Sequence, residues 1–507
     1  MKKIFTAFTC SLIALILIVT NSVTAQEKNI SYYRAKAPFA MPDVALPNFA
    51  DKTFSIKDFG GVNDGKTLNT QAFAKAIEAC SDAGGGKVIV PAGTWLSGPV
   101  EMKSNINLHL EKGAVIQFTS DRTQYPIINI SGDNKKFEVA PPLYAYRAHD
   151  IAITGEGIID GAGESWRPVK KSKVSAEVWS NLIKTGTLST DGKIWWPSAE
   201  ALNGEAYLEK LKKGKSSTVA EDYLPARDFM RPHMIYFVQC KKILVEGVTI
   251  RNSPKFVFYP GRCTDITMNG VTVFNEWWAQ NGDGIDISAC TNVVIYNCTL
   301  SVGDDGICMK SSRGAKAAGE ALLKNILIAK CTVYRAHGGF VIGSNTDGGM
   351  ENIYVSDCSF IGSDIGIRVK SNPGRGGIVK DIYIENITMK DIKNEAILFT
   401  TSYEDVPAGK EAGSSKEEAD GKIPEYSRFY ISNVTCDGAA RAVFILGLKE
   451  MPIHDIYMEN MQITSKAGFI STDAKNIFLK NVTFNTPAPV FKLTRSENIQ
   501  LNGKVVE

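Results

Sequence analysis

The chain has 507 residues, of which 44% are hydrophobic and 22% charged, with a formal net charge of +3. That is a globular balance, long enough for one large domain or several ordinary ones. It lacks the basic footprint of a nucleic-acid or membrane-surface binder. Five scattered histidines and the lack of CxxC or HExxH spacing argue against a metal centre.

The amino terminus stands apart. A cationic "MKK" precedes the apolar run "IFTAFTCSLIALILIV", and "TNSVTA" ends in small residues. This reads as a cleavable export signal over residues 1–25, cut after Ala25, since the apolar run is short for a membrane span. It points to a secreted or periplasmic bacterial protein. Cys10 lies in that run without a lipobox-like residue before it, and its removal leaves an odd number of cysteines, nine. Residues 26–50 read as a lead-in, and residues 51–507 as one domain.

Within that domain, "NTQAFAKAIEACSDAGGG" has helical spacing and a glycine stop. A helix there is expected to cap the open amino-terminal edge of a solenoid. "INLHLEKGAVIQF" and "IAITGEGIIDG" are the first, weak coils of a repeat. A lysine-rich stretch with Trp179, Trp195 and Trp196 comes next, over roughly residues 164–231, and reads as an excursion from one coil.

The repeat then becomes plain. "ILVEGVTI", "ITMNGVTV", "VVIYNCTL", "ILIAKCTV", "IYVSDCSF", "IYIENITM", "FYISNVTC", "IYMENMQI" and "IFLKNVTF" begin at Ile243, Ile266, Val293, Ile326, Ile353, Ile382, Phe429, Ile456 and Ile477. Each has apolar residues at its first, third, sixth and eighth places. The fifth place breaks the alternation with Gly247, Gly270, Asn297, Lys330, Asp357, Asn386, Asn433, Asn460 or Asn481. Two period-two strands joined by a residue that often needs a left-handed backbone describe one coil of a solenoid. The spacing is 21 to 33 residues except for a gap of 47 between Ile382 and Phe429, which holds a charged insertion over roughly residues 403–427. The fold class is therefore all-β, a single-stranded right-handed parallel β-helix. Cys298, Cys331 and Cys358 share the sixth place and should stack as inward, unbridged thiols.

Four successive coils continue with "GDGIDIS", "DDGICMKS", "HGGFVIGS" and "DIGIRVKS". Aligned, Ile285, Ile307, Phe340 and Ile367 point inward. Asp283 and Asp305 then share one column, Asp304 and His337 the next, and Arg368 and Lys370 project from the same side. Adjacent coils lie about 4.8 Å apart, so three acids, one imidazole and two cations should share a patch. Each alone has an ordinary explanation as a turn former or solvated strand residue. Together they suit glycoside cleavage, which needs one acid that keeps its proton and one that activates water. Asp304, beside His337, is the better placed acid. Asp305, with Asp283, is better placed to hold water. Arg368 and Lys370 suit an anionic sugar.

At these residues the chain resembles glycoside hydrolase family 28, the polygalacturonases, on the pectin-lyase-like solenoid. The motifs are "NGD" at Asn281–Asp283, "GDD" at Gly303–Asp305, "AHG" at Ala336–Gly338 and "RVK" at Arg368–Lys370. Gly282, Ala336 and Val369 depart from the usual residues without removing a functional group. The resemblance implies inverting hydrolysis of α-1,4-linked galacturonic acid, with Asp304 as general acid, Asp283 and Asp305 activating water, and His337 supporting the acid. It further implies Arg368, Lys370 and Tyr403 as substrate-binding residues, no metal or other cofactor, and a pectic polysaccharide or oligogalacturonide as partner. The two long insertions favour exo-action, and a monomer is expected. Rival readings are a rhamnogalacturonan or substituted-galacturonan hydrolase, a pectate-type lyase on the same scaffold, and a non-catalytic β-helix.

Overall fold

The structure is a computed structural model that describes residues 28–130, 137–214, 219–313, 319–403, 423–487 and 489–506. The expected export signal lies outside these residues, as does most of the 403–427 insertion. No helix among the described residues is long and apolar enough to cross a membrane.

The chain winds into the right-handed parallel β-helix, the hand that parallel crossovers favour. The register is continuous. Ile106 pairs with Ile151, then in turn Ile243, Ile266, Val293, Ile326, Ile353, Ile382, Phe429, Ile456, Ile477 and Ile499. A second parallel sheet stacks Ile285, Ile307, Phe340, Ile367, Ile397, Val443, Phe469 and Phe491. Both columns feed one hydrophobic core running from Ile56 to Ile499. Because every coil keeps its neighbours' register, a residue's place in its own coil fixes its partners in the next.

The fifth-place residues do what their types suggest. All nine have positive φ, from 52° at Asp357 to 76° at Gly247. The asparagines among them also bond to one another: Asn433 Nδ2 donates to Asn386 Oδ1 at 3.0 Å, and Asn481 Nδ2 to Asn460 Oδ1 at 2.8 Å. The left-handed bend thus becomes a ladder that satisfies its own side chains. Cys298, Cys331 and Cys358 are buried and unbridged. A further thiol column, Cys240, Cys263 and Cys290, escapes the eight-residue repeat. Within it, the sulfurs of Cys263 and Cys290 accept backbone N–H groups of adjacent coils at 3.3 Å.

Near the amino terminus a helix spans Thr70–Asp82 and buries Phe73, Ala76, Ile77 and Cys80 in the main core. The lead-in is not loose. Its short helix, Ile30–Lys36, sets Tyr33 against Val294, Leu327 and Tyr354 on the outer face of three coils. Lys28 pairs with Asp357 at 2.7 Å.

The excursion leaves the solenoid after Asp160 and rejoins it at Ile235. It folds as a small antiparallel sheet in which Ile194–Trp196 is flanked by Val169–Lys170 and Thr187–Leu188. The excursion also carries the helices Ala176–Leu182 and Ala199–Gly214. Trp179 and Trp195 are buried with Val169, and Trp196 with Ala201, which explains the tryptophans without invoking substrate.

Candidate active site

The second sheet builds the site. Strand Asp305–Lys310 lies between Ile285–Ser288 and Gly338–Ile342, with Ile367–Lys370 one coil further on. The N–H of Gly284 donates to the carbonyl of Asp305, and that of His337 to the carbonyl of Asp304, so the acidic turns are tied in register. One carboxylate oxygen each from Asp283, Asp304 and Asp305 lies within 4.8 Å of the other two. Asp283 and Asp305 are only 3% and 1% exposed, so the patch is sunk rather than superficial. It lines a cavity of about 1040 Å³.

Each acid meets a different neighbour. His337 Nδ1 lies 3.1 Å from Asp304 Oδ1, which also accepts the Asp305 N–H at 3.0 Å. Lys370 Nζ lies 2.8 Å from Asp305 Oδ2, and Arg368 Nη1 3.3 Å from Asp305 Oδ1. Both cations thus reach back past the His337 coil to an acid. The intervening position is Gly338, where a Cβ would collide with Val341 and sit 3.3 Å from Arg368 Cβ. Tyr403 closes this side, its ring 4.7 Å from Lys370 Nζ and 5.4 Å from Arg368 Cζ.

These contacts decide where protons rest. Burial opposes ionisation of Asp304, but His337, Lys370 and Arg368 overcome it and hold this carboxyl well below its usual range. Burial likewise opposes ionisation of Asp305, and Lys370 and Arg368 keep it low. Asp283 goes the other way, pushed well above the carboxylate range by burial and then by Asp286 and Asp304. The sequence alone puts the retained proton on Asp304; the shifts instead favour Asp283, which burial and its acidic neighbours raise while Lys370 and Arg368 lower the other two acids.

Two members of the cluster escape the sequence motifs. Lys310 Nζ lies 3.0 Å from Asp286 and 3.6 Å from Asp283. Asp286 is fully buried, and burial raises its carboxyl to about 6 against the pull of Lys310. Strand alternation could have found both: Asp286 faces Cys308 one coil along, and Lys310 lies in the column of Ser288. The excursion's contributions carry no such periodic signal. Arg231 donates to the carbonyl of Gln280 at 3.0 Å and to Asn281 Oδ1 at 2.8 Å, fixing the turn before Asp283. Arg167 supports the same turn from one coil earlier, donating to the Ser253 carbonyl at 2.6 Å beside Asn275, whose amide holds the Gly282 carbonyl at 3.1 Å. Lys170, Lys173, Leu208, Lys212 and Phe229 line the cavity wall.

A parallel β-helix that stacks carboxylates against an imidazole and paired cations has the acid and base parts of a glycoside hydrolase. Comparison with known proteins agrees. The model of glycosyl hydrolases family 28 matches residues 169–489, and the chain belongs to that family. It is 29% identical to a probable polygalacturonase of Vitis vinifera over 83% of this chain and 77% of that protein. It is 26% identical to the exo-poly-alpha-D-galacturonosidase of Dickeya chrysanthemi, over 90% of this chain and 75% of that one. Among solved structures, a hyperthermoactive exopolygalacturonase from Thermotoga maritima superposes with a TM-score of 0.71 at 26% identity, covering 87% of this chain and 94% of that one.

Proposed function

We propose that this glycoside hydrolase is exported and cleaves α-1,4-galacturonosidic bonds of pectin from chain ends. Asp304 serves as general acid, Asp283 and Asp305 hold and activate water, and His337 supports Asp304. Arg368 and Lys370 bind the sugar carboxylate, and Tyr403 packs on the ring. The observation that carries this reading is the convergence of three carboxylate oxygens within 4.8 Å beside two cations.

The charge balance suggests how substrate arms the site. Lys370 and Arg368 are among the groups that hold Asp304 ionised. A galacturonate carboxylate on those cations offsets their charge, so the proton favoured on Asp283 passes to Asp304, which delivers it, and leaves Asp283 ionised to activate water. Exo-action is supported by the excursion, which walls the cavity with Lys170, Leu208, Lys212 and Phe229, and by the exo-acting proteins the chain resembles.

Digestion of polygalacturonate tests the reading. Small sugars should accumulate from the outset, whereas an early ladder of long oligomers means internal cleavage. Asp304→Asn should lower kcat by about 10²–10⁴-fold, the usual worth of a positioned acid, with an unchanged fold by circular dichroism. Inversion rests on the family resemblance. Proton NMR of the first product should show the β anomer; an initial α anomer would make one aspartate a nucleophile.

A further inference from the structure

The excursion does more than wall the cavity. Lys173 ends the short turn Lys171–Lys173, and its Nζ lies 3.3 Å from His337 Nε2. The same ammonium stands over the Trp277 ring at 5.2 Å. We propose that Lys173 is a positioning residue that holds the His337 imidazole in the tautomer that donates to Asp304. This rests on the reading of Asp304 as the acid.

An ammonium group has donors and no acceptor. Facing it at 3.3 Å, Nε2 must present its lone pair, so the ring proton sits on Nδ1. Nδ1 then donates to Asp304 Oδ1, which also takes the Asp305 N–H. With Oδ1 filled by two donors, Oδ2 is the oxygen left to carry a transferable proton.

The His337–Asp304 pair can hold one mobile proton in two ways. It can be a neutral imidazole beside a carboxylic acid, or an imidazolium beside a carboxylate. Both hold the same number of protons, but only the first can protonate a leaving oxygen. An imidazolium would aim its Nε2–H at the Lys173 ammonium, so the lysine favours the productive form.

The other charged groups on this flank do not reverse the bias. Asp364 Oδ2 is 3.8 Å from Nε2, and its other oxygen is held by Lys393 at 2.8 Å. Arg335 and Asp391 line the same side cavity and bring one charge of each sign. Without Lys173, Asp364 would be the nearest partner and would draw a proton onto Nε2.

The test compares full-length wild type with Lys173→Met and Lys173→Arg. Lys173→Met should lose about tenfold in kcat, part of the roughly 10²–10⁴ that a general acid supplies, with KM unchanged. Removing a cation strengthens the pair's hold on its last proton, so the alkaline limb of the kcat profile should move to higher pH. Lys173→Arg should restore most of the rate. In ¹⁵N-histidine-labelled protein, His337 should show the Nδ1–H tautomer in the wild type and lose that preference in favour of Nε2–H in Lys173→Met. A rise in KM with kcat retained would overturn the proposal by making Lys173 a substrate contact, as would unchanged kinetics. If the wild type does not turn over polygalacturonate, the functional reading fails instead. The His337 spectrum then judges Lys173 alone, and an identical spectrum in Lys173→Met refutes it.

Discussion

The same column of the second sheet is used in two ways. On the upstream coils it holds Asp283 beside Asp305, two acids stacked in register. Further along it holds Glu395 beside Arg441, which form an ion pair. The neighbouring column changes in parallel, from Asp286 and Cys308 to Leu398 and Phe444. Backbone, register and inward residues are alike, so the solenoid has no need of like charges at this height. Where the column serves only the fold it is neutralised or apolar. Upstream, Asp286, Asp304 and Asp305 raise the proton affinity of the buried Asp283, a cost of the kind that functional sites carry.

The sharpest way to break this contrast is Asp283→Asn. Turnover should fall by about a hundredfold or more, while the fold gains. Native Asp283 binds its proton more tightly than the unfolded chain does, because burial and its acidic neighbours raise it. Between the unfolded value and the raised native one, wild-type stability therefore falls as pH rises. The variant lacks that loss, so its Tm should match wild type near pH 4 and exceed it near pH 7. A lower Tm at neutral pH would mean that the acid is structural.

The reverse pattern is expected of Arg441→Met, which leaves the Glu395 carboxylate buried without its cation. It should cost about 1–3 kcal/mol in urea unfolding with kcat intact; lost activity would tie the downstream coils to the site. Smaller still is Asn433→Ala, at a residue with φ of 53° in the asparagine ladder common to both regions. The left-handed strain should cost about 1–2 kcal/mol, and Asn433→Gly should recover part of it.

The same geometry decides how much is legible in the sequence. Parallel stacking converts position within a coil into position in space, so the columns of Asp283, Asp305 and Arg368 can be aligned from the strings alone. The left-handed bends are visible because Gly and Asn recur where φ is positive. Groups brought by non-repeating segments cannot be placed this way. Lys173, Arg231 and Arg167 come from the excursion, whose path no period fixes, and the docking of Tyr33 on the outer face depends on a segment before the first coil. The reach of Arg368 and Lys370 back to Asp305 is hidden too, because alternation gives the side a residue faces and not how far its side chain travels.

That reach passes over Gly338, where no side chain stands in the way. A single methyl group there would collide with Val341 and press on the Arg368 stem at its Cβ and Cδ, 3.3 and 3.4 Å away, though no ionisable atom had been altered. The route of the Arg368 stem to Asp305 therefore rests on a residue that has no side chain, and the electrical balance of the centre depends on a gap as well as on the groups around it.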